Sequence, residues 1–150
     1  MNKDINKLST QLGAALLSKS AIVTTAESCT GGGVAQAITD IAGSSKWFHC
    51  GYITYANHAK HKTLGVSAEL LAAQGAVCES VVIEMARGAA REAQADYAIA
   101  ISGVAGPTGG SSNKPVGTVW FACLGPQGVT TAKHQLAGDR NAVREQSVQI

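Results

Sequence analysis

Apolar residues return at helical spacing near the start of the chain. Ile5, Leu8, Leu12, Ala15 and Leu16 fall on one face and predict an amphipathic helix over residues 5–17. The stretch 21–26 is rich in β-branched residues and stops at Glu27-Ser28-Cys29-Thr30-Gly31-Gly32-Gly33. A strand, a tight loop and a helix over about 34–41 follow from that order. After the turn 42–45, residues 47–55 alternate well enough for a strand, 56–64 suit a short helix, and Ser67 starts another. Val81, Val82, Met85, Ala86, Ala89 and Ala93 make the apolar stripe of a further helix, with Arg87, Arg91 and Glu92 on its wet side. Residues 95–102 read as a buried strand ending at Gly103, and residues 104–115 hold too many turn formers for either regular element. Two strands, 116–123 and 129–136, flank the hairpin turn Gly125-Pro126-Gln127-Gly128, and Asp139 can cap a last helix carrying Val143, Ser147 and Ile150.

Helices alternating with buried strands, plus one hairpin, predict an α/β fold: a single compact three-layer domain with a mixed β-sheet flanked by helices. The chain has 150 residues, 45% of them hydrophobic, which suits one domain over 1–150. Twelve Lys and Arg against ten Asp and Glu leave a net charge of +2 with no dense basic block, so neither nucleic acid nor an anionic membrane is expected as a partner. Acidic and polar residues interrupt the start where a signal peptide needs an apolar run, and the expectation is a cytoplasmic protein. Cys29, Cys50, Cys78 and Cys123 are far apart and are expected as buried small apolar side chains. Cys29, beside the glycines, is the one with a reactive alternative.

Several turns could carry chemistry. The segment from Glu27 through Thr30 to Gly31, Gly32 and Gly33 could cradle an anion at a helix start, or could be a glycine turn with Ser28 or Thr30 as the cap. It matches neither a P-loop nor a dinucleotide fingerprint. Ser44 and Ser45 lie on the second turn, with Tyr55, Asn57, His58 and Lys60 at the next junction. A serine hydroxyl needs a base to become a nucleophile, and a lysine kept neutral by burial can serve. Lys60 is favoured over Lys62, although both could be solvated helix charges. His58 and His61 share a helical face, but no HExxH pattern accompanies them or His49 and His134, so no metal and no cofactor is expected. Ser102, Gly103 and Gly106 sit where hydroxyl and backbone donors could meet a developing oxyanion, and Arg140 suits a phosphate or is a surface arginine beside its capping aspartate.

Read together in order, TAESCTGG, IAGSSKWF, TYANHAK, SGVAGPTGG, KPVGTVWFA and AGDR closely resemble the CinA C-terminal domain family, from Gln11 through at least Arg144. The resemblance implies a compact, commonly dimeric α/β domain that converts nicotinamide mononucleotide to nicotinic acid mononucleotide and ammonia by a metal-independent serine-lysine mechanism, in pyridine nucleotide recycling. Carried onto this chain, it implies Ser45 as nucleophile with Ser28 as competitor, Lys60 as general base, and Tyr55 as the group that orients the base or shuttles its proton. Ser102, where relatives commonly have Thr, would face the oxyanion. Glu27 and the glycine turn would hold the pyridinium and the phosphate, with Arg140 as a further charge partner. Cys78 stands where many relatives have Ser, and the last helical turns typical of relatives are missing. The alternatives are a non-catalytic pyridine-nucleotide-binding or regulatory module, or a hydrolase of another small carboxamide.

Overall fold

The computed structural model describes residues 2–150. Its elements are α1 (Lys3–Ser18), β1 (Val23–Glu27), α2 (Gly33–Thr39), β2 (Tyr52–Ile53), α3 (Asn57–Leu64), α4 (Ala68–Gln74), α5 (Glu79–Ala93), β3 (Tyr97–Gly103), β4 (Thr118–Gly125), β5 (Gly128–Gln135) and α6 (Arg140–Gln149). A short 3-10 turn, Ser44–Lys46, precedes β2. No described helix is long and apolar enough to cross a membrane.

The five strands form one mixed sheet in the order β2-β1-β3-β4-β5. The first three run parallel, and β4 and β5 are added antiparallel through the expected hairpin. Strand pattern decides the layers. On β3, Ile99 and Ile101 face the layer that includes Leu16 of α1, Ile38 of α2 and Val143 of α6. Ala98 and Ala100 face the opposite layer, where Val81, Val82 and Met85 of α5 pack beside Leu64 of α3 and Leu71 of α4. Small side chains on that face let α5 come close to the sheet. The three-layer α/β domain expected from the sequence is what forms.

The edge differs from expectation. Residues 47–55 do run along β1, but only Tyr52–Ile53 make a ladder with it. Val23 pairs with Phe48 and Ala26 with Tyr52, so four steps on the edge segment match three on β1. One inserted residue is a bulge, and it breaks the strand. The four cysteines also divide: Cys29 is buried and Cys78 half-buried, but Cys50 and Cys123 are exposed, so the expectation of four buried thiols is wrong for these two. Cys123 lies on a β4 position that no helix covers, and Cys50 on the bulged edge.

Helix α3 is held against α5 at Gly88, where an added Cβ would stand 1.9 Å from the Leu64 carbonyl oxygen. Gly88→Ala is expected to cost about 2–3 kcal/mol from overpacking. A thermal melt would show this as a fall of roughly 5–10 °C, and an unchanged midpoint would contradict the close approach.

Candidate active site

The chain runs from β1 to β2 on one side and then crosses back to β3 on the other, which makes the β1–β3 junction the switch point of the parallel sheet. Clefts form beyond the carboxyl ends of strands at such points, because the two connections leave in opposite directions. Here a cavity of about 360 Å³ opens, lined by Ser28, Cys29, Tyr55, Lys60, Ser102 and Arg140 among others. A larger open groove of about 660 Å³, lined by Ile5, Ala37, Asp40 and Val148, contains no nucleophile beside a base.

Lys60 lies at the floor of the cleft and is fully buried, 0% exposed. It shares its face of α3 with Leu64, one turn on, and the packing of that face carries the amine inward. Lys62 is exposed, so burial separates the two candidates. Nζ of Lys60 lies 2.7 Å from the Thr54 carbonyl, 3.0 Å from the Tyr55 carbonyl and 3.0 Å from Oγ of Ser28. Among the described residues it has no carboxylate partner, and the sole ion pair is Arg91 with Glu92 on the surface. Burial without a counter-charge lowers its pKa from 10.5 to about 8, while the neighbouring Cys29 acts in the opposite direction.

This contact set has a chemical consequence. A neutral lysine has two N–H groups and one lone pair, and a carbonyl can only accept. Thr54 and Tyr55 therefore take both N–H groups, and the lone pair is left for the Ser28 hydroxyl, which can donate. Ser28 is itself set at the end of β1, where its N–H donates to the Ile101 carbonyl. Ser102 and Gly103 close the next strand, with Ser102 1% exposed on the cavity wall.

Ser45 does not belong to this group. It is exposed on the 3-10 turn, and Trp47, two residues on, accepts from the N–H of Val23 at the opposite end of β1. Five strand residues separate the two ends by about 16 Å. The pairing of Ser45 with Lys60 expected from the sequence is corrected to Ser28 with Lys60.

Glu27 and the glycine turn also take different roles. Glu27 is 0% exposed, and its carboxylate accepts from Thr30 Oγ1, Val34 N and Ala35 N at 2.6, 2.9 and 3.0 Å. It thus caps α2 from the end of β1, because the local cap position is Gly32, which has no side chain. Gly31 and Gly33 donate to the Ser28 and Thr30 carbonyls. Their donors and those of the first helical turn are committed, and Glu27, Thr30, Gly31, Gly32 and Gly33 do not line the cleft. What the turn requires of Gly31 and Gly32 is positive φ, +59° and +100°.

The Tyr55 side chain is 61% exposed, and its hydroxyl accepts from Arg140 at 3.0 Å. It is the Tyr55 backbone carbonyl that touches Lys60, so the expected orienting contact is made by main chain and not by the phenol. Arg140 also donates to the Gly106 carbonyl at 2.7 Å, and both residues line the cleft with Gly103. Burial pushes the Cys29 thiol up to about 11, away from the thiolate form that nucleophilic chemistry uses. Sequence reasoning missed Arg144, which donates through Nε to the Cys29 carbonyl at 3.1 Å. The i, i+4 spacing from Arg140 was the available signal.

A buried serine–lysine pair above the strand ends of a three-layer α/β sheet is the equipment for nucleophilic attack on a carbonyl. The chain belongs to the CinA family: residues 5–150 match the CinA C-terminal domain. It is 56% identical over 147 residues to nicotinamide-nucleotide amidohydrolase PncC of Escherichia coli strain K12, covering 97% of this chain and 89% of that protein. The protein of the same name from Pseudomonas putida is 53% identical over 144 residues, covering 96% and 90%. Among solved structures, the competence/damage inducible protein CihA from Agrobacterium tumefaciens superposes with a TM-score of 0.97 at 39% identity, covering 99% of this chain and 92% of that one.

The lowered pKa of Lys60 has a consequence for stability. Between about pH 8 and 10.5 the unfolded chain holds this proton and the folded chain does not, so folding stability gains from Lys60 as pH rises. The shift corresponds to something on the order of 3 kcal/mol across the window. Cys29, whose folded pKa is raised, works against stability above about pH 9, so the comparison is made between variants. Denaturant melts from pH 7 to 9 should show wild type gaining on Lys60→Met, and parallel curves would refute the buried-amine assignment.

Proposed function

We propose that this protein deamidates nicotinamide mononucleotide to nicotinic acid mononucleotide and ammonia without a metal, using Ser28 as nucleophile and Lys60 as general base. The observation that carries the reading is the Nζ contact of Lys60 with Ser28 Oγ, with both other hydrogen bonds of the amine taken by carbonyls. The substrate follows from the names of relatives that are more than half identical to this chain over its length.

In the proposed steps the Ser28 hydroxyl gives its proton to the lone pair of Lys60 as its oxygen bonds to the carboxamide carbon. The carbonyl electron pair moves to oxygen, where the Ser102 hydroxyl and nearby N–H groups face it. Collapse breaks the C–N bond, and the Lys60 ammonium protonates the departing nitrogen, which leaves as ammonia. Water then gives a proton to Lys60 and attacks the acyl-serine, and the returned proton frees Ser28 and the acid product. Because the glycine turn does not line the cleft, Arg140 is the cation at the cleft for the phosphate, with N–H groups to spare beyond its two contacts.

Purified protein should release ammonia from nicotinamide mononucleotide, chelator-treated or not, with a rate that rises with pH to a plateau above about pH 8, the lowered Lys60 value. Ser28→Ala should lose at least about a thousandfold in kcat, whereas Ser45→Ala should stay near wild type. A dead Ser45→Ala beside an active Ser28→Ala would reverse the assignment.

For the phosphate, Arg140→Met should raise KM for the mononucleotide by about ten- to a hundredfold, since a charge-assisted contact of about 1.5–3 kcal/mol is lost. Nicotinamide riboside, lacking the phosphate, should respond little to the same change, and an equal response of both substrates would remove Arg140 from that role.

A further inference from the structure

The turn that follows Ser28 carries Gly31 and Gly32 at positive φ, residues that let the chain turn but do little to stiffen it. Two buried or half-buried charged groups grip it from different sides. The Glu27 carboxylate takes the Thr30 hydroxyl and the first N–H groups of α2. The guanidinium of Arg144, reaching in from α6, donates to the Cys29 carbonyl at 3.1 Å and to the Thr30 carbonyl at 3.5 Å. A Cβ at Gly31 would already stand 3.1 Å from Nη2 of Arg144, so the guanidinium is seated directly on the turn.

Neither charge pairs with an opposite side chain among the described residues. The turn is what lies between them, and its peptide dipoles answer both: carbonyl oxygens toward the cation, N–H groups toward the anion. A planar fork can hold two carbonyls at a fixed relative orientation, which a lysine ammonium does not do. Helix α6 is in turn anchored by Val143, 0% exposed, and by Ser147, 1% exposed, on its buried face. One helical turn before Arg144, Arg140 holds the Gly106 carbonyl on the opposite loop of the cleft.

We propose that Arg144 is a positioning residue for the reaction: by holding the Cys29 and Thr30 carbonyls it fixes the peptide units that follow Ser28, and so the aim of the Ser28 oxygen. The inference rests on the assignment of Ser28 as nucleophile. Arg144 touches neither substrate nor the reacting atoms. Its loss should therefore lower the rate of attack and leave both substrate affinity and the titration of Lys60 in place, since misplacing a reacting group by about 1 Å costs up to about a hundredfold.

The test compares wild type, Arg144→Met and Arg144→Lys by ammonia release from nicotinamide mononucleotide and by the rate at which a fluorophosphonate labels Ser28. Folding is checked by circular dichroism and thermal melting. Arg144→Met should lose about ten- to a hundredfold in kcat and in labelling rate, keep KM within about threefold, keep the same pH profile, and recover in part with millimolar free guanidinium. Arg144→Lys should fall between the two, and it carries the same criteria if Arg144→Met does not fold. Labelling and kcat within about twofold of wild type in a folded variant would overturn the proposal, as would loss that appears in KM alone. Wild-type protein that labels at Ser28 but releases no ammonia would defeat the substrate reading, while the labelling comparison would still decide Arg144. Wild-type protein that does not label at Ser28 would overturn both the nucleophile assignment and the role of Arg144.

Discussion

The buried amine of Lys60 is the constraint around which the site is built. Removing an ammonium from water costs several kcal/mol unless it is paired or neutralised, and here no carboxylate pairs with it. Helix α3 is held against α5 at Leu64 and Gly88, and Lys60 lies on the same inward face as Leu64. The bulged edge segment then delivers two carbonyls, those of Thr54 and Tyr55, at hydrogen-bonding distance. Lowered basicity and a lone pair reserved for a hydroxyl are consequences of the same burial.

The other half of the site is a turn whose shape is maintained from outside. Gly31 and Gly32 make the path possible, while Glu27 and Arg144 restrict it. A glycine-rich segment at a helix start has the composition of an anion cradle, yet in this protein the internal carboxylate takes the Val34 and Ala35 N–H groups at that start. The macrodipole of α2 is satisfied by Glu27 in the same act. On the rim of the cleft, Arg140 bridges Tyr55 and Gly106.

Order of elements, layer count and the hairpin were legible in the residues, because helical and strand periodicity depend on spacing along the chain. Residues 95–102 were legible only as a buried strand; that Ile99 and Ile101 face one layer and Ala98 and Ala100 the other shows in the packing. The ordered turns carried the family, and Lys60, Ser28, Ser102 and Arg140 were all named from them. Less legible was the broken edge strand, since the inserted residue between Phe48 and Tyr52 shows only against the register of β1.

What the sequence determined by itself was therefore the inventory: a three-layer α/β domain, its family, and a short set of polar residues on its turns. What only the tertiary structure decided was which of those residues meet. Ser28 and Ser45 both sit on turns, and Ser45 is the nearer of the two to Lys60 along the chain, but they lie at opposite ends of β1. The parallel crossovers bring Ser28, Lys60 and Ser102 to the carboxyl ends of neighbouring strands and leave Ser45 at the far end. Periodicity is a local property, whereas the pairing of a nucleophile with its base depends on strand direction and crossover, which join residues distant in sequence.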